Sequence, residues 1–117
     1  MNRQKNPAQE KLISELKTLA ITEKVKFWKR IASELEKPTR NKRIVNLSKL
    51  DKVTKDGELV IVPGKVLSSG ELTHKLIVSA CSFSQNAKSK ISQKGEVLSI
   101  EDLMKKNPKA KGIRIIG

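Results

Sequence analysis

The apolar periodicity changes once along this chain, at Glu58, and that change restricts the fold more than any other feature. Before it, apolar residues recur at three-to-four spacing, the signature of one helix face. Leu12, Ile13, Leu16, Leu19 and Ala20 form a first stripe, with Asn6 as N-cap, Pro7 in the first turn and Gln9 placed to close a capping box. Phe27, Trp28, Ile31, Ala32 and Leu35 form a second, in a helix expected to start at Thr22 and to stop before Pro38, which biases Lys37 away from helix. Two helices joined this tightly are expected to pack as an antiparallel hairpin. Val45, Leu47, Leu50 and Val53 predict a short third helix capped by Asn46 or Ser48, and Asp56-Gly57 a turn.

From Glu58 onward, ELVIVPGKVL and LIVSACSF are rich in β-branched residues and read as strands, the first broken by Pro63-Gly64. Ser84 is expected to cap a helix carrying Ala87 and Ile91 and ended by Gly95. A short strand over 96–98 follows, then a helix with a Ser99/Asp102 capping box that closes at Asn107-Pro108, and a final strand over 112–116. The expected fold is mixed α/β: an N-terminal helical hairpin, then short strands and helices. One domain is expected over 1–117, mainly helical in 1–56 and alternating in 57–117. Leu, Ile, Val and Phe make up 33 of 117 residues, enough for a core without disulfides or metal.

Cysteine and histidine usage excludes several classes. One Cys and one His supply neither an internal disulfide nor four zinc ligands, so a reducing compartment is expected. No apolar stretch in MNRQKNPAQEK serves as a signal peptide, and no run of 18 apolar residues crosses a bilayer. The 63–70 segment departs from a phosphate-binding P-loop, because Gly70 is followed by Glu71 where Lys and Ser/Thr are required. Its glycines are read instead as permitting tight turns or close backbone approach. His74 has no catalytic partner within motif spacing and is read as a surface or turn residue, and Cys81 as a small buried hydrophobe in a strand. The carboxylates are scattered, with no acid–base dyad or nucleophile–base pair. No catalysis, cofactor, metal or small-molecule substrate is expected.

What remains is charge. The chain holds 25 Lys+Arg against 12 Asp+Glu, a net +13, with +8 over 1–56 and +5 over 57–117. So large a spread surplus repels itself and calls for a polyanion, with nucleic acid leading. Residues 37–43 (KPTRNKR) hold four cations and no apolar side chain, so they form an exposed loop. Lys37, Arg40, Lys42 and Arg43 are candidates for gripping phosphates, with Asn41 for sugar or base. Lys65, beside Gly64, is a further candidate. Lys26, Lys29 and Arg30 can face RNA from the outer side of a helix whose Trp28 and Phe27 fill the core, and Arg3 and Lys5 extend the cationic surface. With its aromatics buried, the chain lacks a stacking platform, and recognition is expected to rest on shape and phosphates. A free regulatory RNA-binding protein or RNA chaperone has the same composition.

Specific strings narrow this further. Leu35-Glu36-Lys37-Pro38 leads through Arg40 to Val45-Asn46-Leu47; Val60-Ile61-Val62-Pro63-Gly64-Lys65-Val66-Leu67 precedes Gly70 and Leu72; then come Ala80, Phe83-Ser84, Ala87, Lys90-Ile91 and Gly95. In this order they resemble the archaeal and eukaryotic large-subunit ribosomal protein eighteen-e family, sibling of the universal ribosomal protein fifteen, from about Pro7 to Ile116. The resemblance implies strands and helices wound as an irregular β-β-α superhelix. It also implies a cytoplasmic, ribosome-associated structural role on large-subunit rRNA beside neighbouring ribosomal proteins. By position, it places RNA contact on 37–43 and on the glycine-flanked 63–70 turn. Eukaryotic members carry basic C-terminal extensions, whereas this sequence reads Ile115-Ile116-Gly117, as in the compact archaeal form.

Overall fold

The computed structural model describes residues 7–37 and 43–116. Along the chain come α1 (Pro7–Glu23), α2 (Lys26–Leu35), β1 (Arg43–Asn46), α3 (Leu47–Val53), β2 (Glu58–Leu67), β3 (Leu76–Phe83), α4 (Gln85–Lys94), β4 (Glu96–Ser99), α5 (Ile100–Lys106) and β5 (Ile113–Ile115). The fold is mixed α/β with its helices first, as the change of periodicity requires. All strand pairs are parallel, in the order β1-β2-β3-β4. β5 lies along the first half of β2 and β1 along the second, end to end on one edge.

A parallel sheet is stable when both faces are covered, and here they are. Val60, Val62, Val66, Leu76, Val78 and Ala80 face a core built with Leu47 and Leu50 of α3 and Ala87 and Ile91 of α4. On the opposite face, Ile61 and Leu98 pack with Leu16 of α1, Trp28, Ile31 and Leu35 of α2, and Ile100 and Leu103 of α5. Trp28 is fully buried; its Nε1 donates to the Pro108 carbonyl at 2.7 Å, and Phe27 meets its ring edge-on. Helices α1 and α2 form the expected antiparallel hairpin, with Gln9 Nε2 donating to the Leu35 carbonyl at 2.9 Å. The Asn6 half of the expected capping box lies outside the described residues.

The structure corrects several local expectations. Thr22 does not start α2: α1 continues to Glu23, and Lys24, at φ 58°, makes the turn into α2. Val45 belongs to strand β1, whose four residues are too few for alternation to show. Asn46 precedes α3 but does not cap it by side chain; its Oδ1 accepts the Ser69 N–H at 3.3 Å. Pro63-Gly64 does not break β2, because the register with β3 shifts between Val62 and Lys65 and the bulge absorbs the missing N–H. Cys81 is exposed, since β4 ends opposite Ala80 and covers nothing beyond it. The Ser84 and Ser99 caps form as expected, accepting from Ala87 N and Asp102 N.

β2 and β3 are parallel yet joined only by residues 68–75, without a crossover helix. Glu58 pairs with Leu76, so the chain must return the whole length of β2, about 30 Å, in nine steps of at most ~3.6 Å. The connection is therefore nearly taut, and it is pinned from both sides. Ser48 N–H donates to the Ser69 carbonyl, and Asp51 Oδ1 accepts from both the N–H and hydroxyl of Thr73 at 2.8 Å. Asp56 Oδ1 takes the Lys75 N–H, Leu72 is buried, and Lys90 Nζ donates to the Ser68 and Gly70 carbonyls.

Ser79 is an exception to this satisfaction of polar groups among the described residues. Its Oγ is fully buried between Ile61 and Leu98 with no hydrogen-bond partner. Ser79→Ala removes that unmet hydroxyl and should stabilise the protein by about 1 kcal/mol. A denaturant titration giving lower stability for the alanine variant would show that the hydroxyl is satisfied in solution.

Candidate nucleic-acid interface

Helix α2 presents two faces. Trp28, Ile31, Ala32 and Leu35 are buried, while Lys26, Lys29 and Arg30 are exposed on the opposite side with Ser33 and, one turn on, Lys37. At 1.5 Å per residue this cationic line is about 16 Å long. It leads to the 37–43 loop, of which Arg40, Asn41 and Lys42 lie outside the described residues, as do Arg3 and Lys5.

The two described ends of that loop converge on one carboxylate. Arg43 Nε lies 3.1 Å from Glu34 Oε1, and Lys37 Nζ 3.3 Å from the same atom. The Arg43 hydrogen bond, aided by Lys37 and opposed by partial burial, holds the Glu34 carboxyl below its usual 4.5. Glu34 thus stays ionised and closes the base of the loop. The terminal guanidinium nitrogens of Arg43 carry no partner among the described residues.

Strand β1 places Arg43 beside Gly64 and Ile44 beside Lys65. Gly64 is buried, and a Cβ there would collide with the Arg43 carbonyl oxygen. Its role is close backbone approach, as the sequence predicts, and it brings the basic loop against the carboxyl end of β2. Gly70 is held at φ 96°, where a Cβ would sit 2.5 Å from that of Ser48. Lys65 is exposed, with no ion-pair partner among the described residues. Ligands of open α/β sheets gather at the carboxyl ends of strands, and this is where Arg43 and Lys65 stand.

Three participants were not legible as such: Glu34, Ile44 and Lys90. Only a three-dimensional arrangement brings Glu34 to Arg43 or Lys90 to the 68–71 backbone. His74 is likewise more engaged than a surface reading implies. Its Nδ1 is 3.0 Å from the Lys75 carbonyl, and its Nε2 is 3.3 Å from the Asp51 carbonyl and 3.5 Å from Asp51 Oδ1. Both ring nitrogens therefore face acceptors, which suits the imidazolium. The Lys75 carbonyl contributes most to raising the His74 pKa above 6.5, against partial burial, and the hydrogen bonds from Thr73 lower that of Asp51 below 3.8.

The linkage has a definite sign. The His74 contribution is full below pH 6.5 and is lost as pH rises through the raised folded value. The Asp51 contribution is present above 3.8 and is lost only as pH falls through its lowered value. Thermal melts run between about pH 6 and about pH 9 should therefore show a decline in midpoint that His74→Gln lacks. Parallel pH profiles for the two proteins would contradict the clamp.

Among the described residues, no group of His, Cys, Asp and Glu could hold a metal ion, and no helix is long and apolar enough to cross a membrane. Residues 25–98, from the turn before α2 through β4, match the family of ribosomal proteins that comprises 50S-L15, 50S-L18e and their 60S counterpart. The chain belongs to this family. The matched segment contains the α2 stripe, the 37–43 loop and the β1–β4 sheet. Relatives extend the likeness over nearly the whole length. The chain is 46% identical over 112 residues to the large ribosomal subunit protein eL18 of Methanoregula boonei, covering 95% of this chain and 93% of that one. It is 44% identical over 115 residues to the eL18 of Archaeoglobus fulgidus, covering 97% and 98%.

Proposed function

We propose that this protein is a non-catalytic structural constituent of the large ribosomal subunit, acting as a single rRNA-binding domain over 1–117. The observation that carries this reading is near full-length similarity to proteins named large ribosomal subunit protein eL18. Its partners are large-subunit rRNA and adjoining large-subunit proteins, and its place is on cytoplasmic ribosomes. The net charge of +13 supports a polyanionic partner.

In this reading Lys26, Lys29, Arg30, Lys37, Arg40, Lys42, Arg43 and Lys65 neutralise phosphates, joined by Arg3 and Lys5 from the N-terminal segment. Asn41 reaches sugar or base. Gly64 contributes shape, by seating the basic loop on the sheet. The folded core holds loop and sheet end at fixed separation, so RNA meets a preformed charge pattern. Replacing Arg40 and Arg43 together by Gln should lower affinity for large-subunit rRNA about a hundredfold. Thermal stability should change by no more than about 1 kcal/mol, the worth of the Arg43–Glu34 surface pair. Unfolding of the double variant, or binding unchanged from wild type, would remove the loop from the interface.

A further inference from the structure

Ile44 is 64% exposed, one of two large apolar side chains on the described surface. A single exposed isoleucine is ordinary; its neighbours make this one informative. Ile44 is in register with Lys65, and Lys65 with Ser82, one residue on each of three adjacent strands about 4.8 Å apart. The next residues along, Val45 and Val66, are buried in the core under α3 and α4. Ile44 and Lys65 therefore face the other side, the one that α1, α2 and α5 cover over Leu59, Ile61 and Ile77 but leave bare here. Lys65 and Ser82 are exposed, and Arg43 stands next in the chain.

This patch joins one apolar side chain to cations and a hydroxyl, with no carboxylate in the row. A double helix offers phosphates and 2′-hydroxyls to such a surface and leaves the isoleucine unused. An unpaired nucleotide uses all of it, through a flat apolar base, a phosphate and a sugar hydroxyl. We propose that the row Ile44–Lys65–Ser82 seats one unstacked rRNA nucleotide. Its base lies on Ile44, its phosphate meets Lys65, and Ser82 hydrogen-bonds the ribose or base edge. This rests on the rRNA-binding reading and deepens it, since it gives a protein that lacks an exposed aromatic platform among its described residues a point of local recognition.

The test is filter binding of the full chain to a large-subunit rRNA transcript across a salt series. Ile44→Ser should weaken binding about tenfold at every salt concentration and leave the slope of log affinity against log salt unchanged. Lys65→Gln should instead reduce that slope by about 0.7–0.9. Ile44→Phe should bind at least as well as wild type, which separates a contact surface from a folding requirement. Chemical probing should find one base protected by the wild type and reactive with Ile44→Ser. Wild-type affinity of Ile44→Ser for naked rRNA overturns the nucleotide site alone. The same holds if that variant is lost only from assembled subunits, which assigns Ile44 to a protein neighbour. Failure of the wild type to prefer rRNA over unrelated RNA sinks the rRNA-binding reading itself.

Discussion

Affinity of this protein for its rRNA site should fall about 10³- to 10⁵-fold between roughly 50 mM and 200 mM salt, the loss for 6–10 neutralised phosphates. The candidate cations are Arg3, Lys5, Lys26, Lys29, Arg30, Lys37, Arg40, Lys42, Arg43 and Lys65. Lys37 and Arg43 already share the Glu34 carboxylate, so the full set need not count as separate charges. The exposed α2 line and Lys65 have no such internal partner among the described residues. Replacing Lys26, Lys29 and Arg30 together should flatten the salt dependence without moving the denaturation midpoint, because the buried half of α2 is untouched. A wild-type slope equivalent to one or two phosphates would contradict an electrostatic interface of this extent.

Gly64→Ala should be the most destabilising single change in the sheet, costing at least about 3 kcal/mol and leaving little of the ~5–15 kcal/mol of an ordinary domain. The added methyl would collide with the backbone carbonyl of Arg43, and backbone on both sides offers no side chain to swing away. Separating β1 from β2 to relieve the collision would give up the register of residues 43–46 with 64–67 and expose Val45 and Val66. Gly57→Ala is the control. Gly57 has φ 84° but nothing within 4 Å of a Cβ, so it should lose only about 1–2 kcal/mol of backbone strain. Equal urea midpoints for Gly64→Ala and wild type would show that β1 does not seat on β2 as described.

Much of this architecture was legible residue by residue. The buried α2 stripe, the strand character of β2 and β3 and the serine caps of α4 and α5 follow from local period and capping chemistry. The direction of the strands does not. β2 and β3 are separated by residues 68–75, a spacing that fits a hairpin as readily as a taut parallel return. The pins that hold the return, Asp51, Asp56 and Lys90, are scattered through the chain. β1 was hidden because so short a strand next to a helix offers too little alternation, and the exposure of Cys81 depends on where β4 stops. The interface was legible as charge, in the 37–43 cations and the α2 line. Glu34 at the base of the loop and Ile44 in register with Lys65 emerge only when distant strands and helices meet.

The central claim is membership of the large subunit, and sedimentation tests it most directly. The tagged endogenous protein would be run through a sucrose gradient after subunits are separated by lowering magnesium and washed with high salt. The account predicts stoichiometric co-migration with the large subunit through the wash. A protein left at the top of the gradient would contradict it and identify a free RNA-binding regulator instead.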